Sequence, residues 1–133
     1  MISYDDFKKV EIRAGKILSA EKIPDTDKLL ELSVDFGETK EVAPIAVEGD
    51  VIPTDAPVPV KVPAPRQIVS GISMHFPDPA VLVGKTCMFV ANLEPRTIRG
   101  FESNGMIFAV STPEGGFSLL EPNASIPPGT KAA

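Results

Sequence analysis

Leu30, Leu32, Val34 and Phe36 alternate with Glu31, Ser33 and Asp35, and Gly37 follows. A two-residue period predicts a strand with one buried face, and the glycine a turn that closes it. Val10, Ile12 and Ala14 alternate in the same way with Glu11 and Arg13, and Gly15 allows a bend before Ile17 and Leu18. Further strands are predicted at Arg66 to Ile72 (RQIVSGI), at Thr86 to Ala91, at Met106 to Val110 and, briefly, at Phe117 to Leu120. Helical signals are few. Ser3 and Asp6 form a capping-box pattern ahead of one turn through Phe7 and Lys8, and PDPAVLVGK supplies a short helix closed by Gly84. About five core strands, with a short helix between the third and fourth, predict an all-β fold, an OB-type five-stranded Greek-key barrel over residues 1–133.

Residues 41–65 break this rhythm. Six of the fourteen prolines fall there, a density that forbids a helix and leaves extended, edge-strand or polyproline conformations. The segment reads as an inserted arm. It is either a solvated loop or, given its valines and isoleucines, an ordered β-arm covering its own domain or a partner subunit.

At 133 residues the chain is long enough for one domain with one core. The net charge of −5 is the balance expected of a protein that avoids nucleic acid, but its distribution says otherwise. Residues 1–59 carry seven basic and thirteen acidic side chains, whereas residues 60–111 carry five and three. A locally positive segment can hold a polyanion on an acidic molecule, weakly and with strong salt dependence. No apolar run reaches the roughly 18 residues of a membrane span, and MISYDDFKK is too charged for a signal peptide. A cytoplasmic protein with no membrane partner is the simplest expectation.

The residues of catalysis and metal binding are sparse. His75 is the single histidine and Cys87 the single cysteine, so no zinc site and no Cys–His pair is expected. Asp25, Asp27 and Glu31 lack the spacing of a calcium loop. The expectation is a protein without catalytic residues, metal or cofactor.

The positive segment lies in VANLEPRTIRGFESNGMIFAV, residues 90–110, where a Pro-bounded basic loop and a Ser-Asn-Gly turn separate two apolar strands. Arg96 and Arg99 carry guanidinium forks matched to phosphate oxygens, and Pro95 limits the freedom of the loop that bears them. Ser103, Asn104 and Gly105 offer hydroxyl, amide and uncovered backbone N–H groups, and Met106 a polarizable surface for a base or ribose. Taken singly, each has an ordinary alternative: Arg96 and Arg99 as solvated charges, Gly105 as a turn residue, Met106 as core.

In order, DDFKKVEIRAGKI, PDTDKL, RQIVSGI, LVGK, ANLEPRTIRGFESNGMIFA and PPGTK resemble the tRNA-binding domain found at the C-terminus of many methionyl-tRNA synthetases. The same module occurs as free-standing structure-specific tRNA-binding proteins. The resemblance spans nearly the whole chain outside residues 41–65. It implies an OB-fold homodimer that grips the outer corner of tRNA by shape, the mode suited to RNA whose deep major groove excludes side chains. The implied contact set is Asn92, Arg96, Arg99, Ser103, Gly105 and Met106, with Ser70 and Lys28 at the rim. The implied dimer segments are the opening ISYDDF turn and the tail after Leu120. An aminoacyl-tRNA synthetase catalytic chain is the implied further partner, and any enzymatic activity would be that partner's.

The chain departs from the family at four places. Ile23 stands where a histidine is common and Thr26 where an alanine is common. Glu94 and Thr97 stand where lysines are common, which removes positive charge from the loop. A sister family, the dimeric bacterial secretion chaperone, shares the barrel but holds unfolded peptides, and is the alternative reading. It lacks the Ser-x-Gly-Met arrangement present here as residues 103–106.

Overall fold

Ser3 caps the first element: its hydroxyl accepts the Asp6 N–H at 3.1 Å and the Asp6 carboxylate accepts the Ser3 N–H, making the reciprocal box that starts α1 (Tyr4–Lys8). The computed structural model describes residues 1–42 and 60–132. After α1 the strands follow as β1 (Ile12–Lys22), β2 (Leu30–Asp35), β3 (Thr39–Val42), β4 (Val60–Pro63) and β5 (Arg66–Ser70). Two 3-10 turns, Ser73–His75 and Pro79–Leu82, precede β6 (Thr86–Val90). The remaining strands are β7 (Arg96–Ile98), β8 (Phe101–Ser103), β9 (Met106–Ile107), β10 (Ala109–Ser111) and β11 (Phe117–Leu119). Among the described residues no helix is long and apolar enough to cross a membrane.

Five strands form one antiparallel sheet in the order β5-β2-β1-β6-β9, which curls into a nearly closed barrel of the all-β, OB-like type. The 3-10 turn at Pro79–Leu82 falls between the third and fourth of these strands, where the helical signal lay. The curl is built into β1, which serves two neighbours: residues 12–16 pair with β6 and residues 16–22 with β2. A register shift between Ile17 and Ser19 lets Ile17 point inward while Leu18 stands outside, 42% exposed. The edge of β1 that β2 leaves uncovered is taken up by the tail. Gly129 N–H donates to Ala14 O, Ala14 N–H to Thr130 O, and Ala132 N–H to Ile12 O, at 2.7–2.8 Å. The edge is thereby paired rather than left open.

Leu30, Leu32, Val34 and Phe36, the alternating positions of β2 and the residue after it, all face the core with Ile17, Ile68, Leu82, Cys87, Phe89 and Ile107. Each large side chain so buried contributes about 1.5–3 kcal/mol. Gly15 has a stricter reason than the bend expected of it. A Cβ there would lie 2.6 Å from Val34 Cγ1 and 2.8 Å from the Phe36 ring, so the interior has no room for a side chain. Cys87 is fully buried, and desolvation pushes its thiol up to about 11, which suits packing and not nucleophilic chemistry.

The expected arm begins as a two-stranded ribbon. Lys40 pairs with Val62 and Glu41 with Lys61, so the flanks of the Pro-rich segment are extended and antiparallel. Residues 43–59 lie outside the described residues. The expected strand over Met106–Val110 is interrupted at Phe108, which divides β9 from β10. Ile107 is its buried residue, while Met106 and Val110 are about half exposed.

Candidate nucleic-acid interface

The barrel closes through the segment that follows β6, and that closure makes the site. β7 and β8 form a hairpin in which Arg96 pairs with Ser103, Thr97 with Glu102 and Ile98 with Phe101. Its two-residue turn is Arg99-Gly100, with φ of +52° and +83°. Positive φ at both central residues marks the type I′ turn, whose twist matches that of the flanking strands, and it places a non-glycine residue in a left-handed conformation at the tip. The basic loop expected here is therefore a short ribbon with Arg99 presented at its end. Alternation puts Arg96 and Ile98 on one face with Ser103, and Thr97 with Glu102 on the other.

β8 is stitched to β5. Val69 N–H donates to Ser103 Oγ at 3.0 Å, Asn104 N–H to Gln67 O at 2.9 Å, and Gln67 Nε2 to Glu102 O at 3.0 Å. The Ser103 hydroxyl in turn donates to Gly105 O at 3.2 Å, and the residue is 5% exposed. Gly105 packs so closely that a Cβ would stand 3.0 Å from Val90 O and 3.1 Å from Ile68. The Ser-Asn-Gly turn thus seals the barrel at the point where regular ladder pairing runs out.

Between the hairpin and the barrel wall lies a cleft of about 530 Å³ lined by Val69, Leu93, Glu94, Arg96, Ile98, Ser103, Gly105 and Met106. Four of the residues expected from the sequence meet there: Arg96, Ser103, Gly105 and Met106. Met106 is 49% exposed, so it forms surface and not core. Arg99 stands at the hairpin tip. Ser70 follows the lining residue Val69 and pairs with Leu30, two positions beyond Lys28, whose carbonyl accepts the Ser73 N–H at 3.0 Å. Asn92 directly precedes the lining residue Leu93; its amide oxygen accepts the Glu11 N–H at 2.7 Å and its amide nitrogen donates to Lys9 O. The side chains of Asn92 and Ser103 are thus engaged with the protein's own backbone.

Sequence reasoning missed the apolar half of the lining, Val69, Leu93 and Ile98. Ile98 would have been found by reading Arg99-Gly100 as a hairpin turn, because alternation then sets it beside Arg96. It also missed Arg66. The Arg66 guanidinium makes a bidentate pair with Glu38 at 2.6 and 2.8 Å and donates its remaining arm to Ala91 O and, at 3.3 Å, to Asn104 O. The hydrogen bond from Arg66 lowers the pKa of Glu38, and the same contact raises that of Arg66. Arg96 and Arg99 differ from it: among the described residues neither lies within ion-pair distance of a carboxylate. No group of three or more His, Cys, Asp or Glu side chains placed to hold a metal occurs among the described residues.

An OB-like barrel whose closure carries a cleft with one arginine on its wall and another at the hairpin tip, neither paired with a carboxylate among the described residues, defines a class, the binding modules built on small β-barrels. The chain belongs to the family described as "Putative tRNA binding domain", which matches residues 56–131. It is similar to the methionine–tRNA ligase of Methanoregula boonei, with 44% identity over 131 residues, 98% of this chain and 15% of that one. The chain spans 15–16% of the length of the ligases it matches. Among solved structures it is similar to a MetRS-related protein from Pyrococcus horikoshii, at 31% identity and a TM-score of 0.76, covering 100% of this chain and 98% of that one. It is also similar to the CsaA chaperone protein of Picrophilus torridus, at 25% identity and a TM-score of 0.71, with each chain fully covered.

Proposed function

We propose that this chain is a non-catalytic tRNA-binding module that recognises tRNA by shape and works beside a methionyl-tRNA synthetase catalytic part in the cytoplasm. The observation that carries the reading is the presence of Arg96 on the cleft wall and Arg99 at the hairpin tip, both without a carboxylate partner among the described residues, with half-exposed Met106 lining the same cleft. Guanidinium groups that make no internal pair remain available for phosphate, and the apolar lining gives a ribose or base a surface to rest on. Asn92 and Ser103 act by shaping the cleft, and Lys28 and Ser70 extend its rim. Binding in this mode would raise the local tRNA concentration around a tethered or associated enzyme.

The protein is further proposed to be a homodimer. Tyr4, Phe7, Lys8 and Val10 of the α1 region and Lys131 and Ala132 of the tail line one groove, and Tyr4 and Phe7 are 75% and 46% exposed. An exposed apolar groove of this kind is typical of a subunit interface. Light scattering on Phe7→Glu should report a monomer where the wild type reports a dimer; a wild-type monomer at micromolar concentration counts against the pairing.

A peptide-holding role is the second reading, favoured by the apolar share of the cleft, Val69, Leu93, Ile98 and Met106. Titration of fluorescent bulk tRNA at low and moderate salt, with an unfolded polypeptide as competitor, separates the two. Saturable binding that weakens with salt and resists the peptide supports tRNA. Absence of tRNA binding at low salt, with capture of the peptide, supports the chaperone-like role.

A further inference from the structure

We infer that Arg66, held by Glu38, is a positioning residue that sets the width of the cleft and ties it to the base of the β3–β4 ribbon. Three separate segments converge on this one guanidinium. Glu38 lies between β2 and β3, and its own carbonyl accepts the Ala64 N–H at 2.9 Å, so it is fixed to the ribbon's return strand. Ala91 lies two residues before Leu93 and Glu94, which line the cleft, and Asn104 lies between the lining residues Ser103 and Gly105. The Phe36 ring supports the guanidinium at 5.2 Å. Arg66 does not itself line the cleft, and each of its three nitrogens already donates to Glu38 or to the two carbonyls.

The carboxylate supplies the constraint. A planar fork gripped bidentately has its plane and reach fixed, so its third arm meets Ala91 O and Asn104 O at a set separation. With Glu38 unable to hold both nitrogens, the guanidinium turns about its long side chain, and the two lining segments lose their common anchor. The inserted ribbon thereby acquires a link to the cleft that the apolar core does not provide.

This inference rests on the tRNA-binding reading, and the test keeps the two apart. Amide NMR spectra of the free protein and tRNA titrations are recorded for the wild type, Glu38→Gln and Arg66→Lys. Glu38→Gln removes a negative charge, so simple electrostatics predicts tighter tRNA binding. Positioning predicts the opposite: about tenfold weaker binding, in the range of mutations that act through packed neighbours, with an unchanged salt slope because no phosphate contact is removed. Arg66→Lys, which keeps the charge and loses the fork, should weaken binding similarly. In both variants the amide signals of residues 91–94 and 103–106 should shift while those of the β1–β2 turn at residues 25–29 stay in place. Unmoved signals in the first group overturn the inference, as does equal or tighter tRNA binding by Glu38→Gln. If the wild type itself fails to bind tRNA, the functional reading falls, and the amide shifts alone decide whether the clamp sets the cleft.

Discussion

The face bearing Arg13 and Arg66 and the face bearing Arg96 and Arg99 carry the same positive side chains to opposite ends. On the first, Arg13 is paired with Glu11 and bonded to Gly129 O, and Arg66 is paired with Glu38 and bonded to Ala91 O and Asn104 O. On the second, the guanidinium groups meet no carboxylate among the described residues. Charge counted along the sequence cannot separate these cases, because it treats all four arginines as equal contributors to a field. Neighbours decide which are structural and which are available. The net charge of −5 is therefore a poor guide to whether this surface can bind a polyanion.

The comparison breaks most easily at Arg66. Arg66→Ala strands Glu38 and two backbone carbonyls, so chemical denaturation should show a loss of about 2 kcal/mol, whereas Arg96→Ala should stay within about 0.5 kcal/mol of wild type. Equal losses at the two sites would erase the distinction. A smaller effect follows from pH. The folded-state pKa of Glu38 is lowered from 4.5 by its bond to Arg66, so the pair's contribution is complete above that value and disappears as pH falls through the lower folded value. The stability gap between wild type and Glu38→Gln, about 1 kcal/mol at pH 7 for a partly exposed pair, should begin to narrow below pH 4.5 and go on narrowing as the pH falls, and a gap that stays constant or widens on acidification would contradict it. Smallest is the change at Glu94, which lines the cleft. Glu94→Gln should tighten tRNA binding by about 0.5 kcal/mol, roughly twofold, and a weaker complex would mean that Glu94 makes a contact of its own.

The fold was legible where one face of a strand is buried and the other wet. β2 could be read directly because Leu30, Leu32, Val34 and Phe36 all reach the same core. Legibility failed where backbone geometry, not burial, sets the structure. The β7–β8 hairpin escaped notice because its turn uses Arg99 at a positive φ, a position where asparagine or glycine would have been the signal. Gly15 was read as a bend, since its true constraint comes from Val34 and Phe36, about twenty residues away along the chain. The site was legible as chemistry but not as geometry. Arg96 and Met106 were found as exposed functional groups, but nothing local to Ser103 says that its hydroxyl is needed by Val69 N–H, or that Arg66 reaches Ala91 and Asn104. The departures from the family resolve in the same way: Glu94 lines the cleft, whereas Thr97 lies on the other face of the hairpin.

The central claim, that the hairpin arginines are free to hold phosphate, is tested most directly by Arg99→Asn. The variant places Asn-Gly at the turn, a pair favoured for positive φ at both positions, so the hairpin is kept or strengthened while the guanidinium is removed. Titration of tRNA across a salt series should give weaker binding at every salt concentration and a log–log salt slope reduced by about 1. Wild-type affinity with an unchanged slope, in a variant of equal or greater stability, would contradict the account.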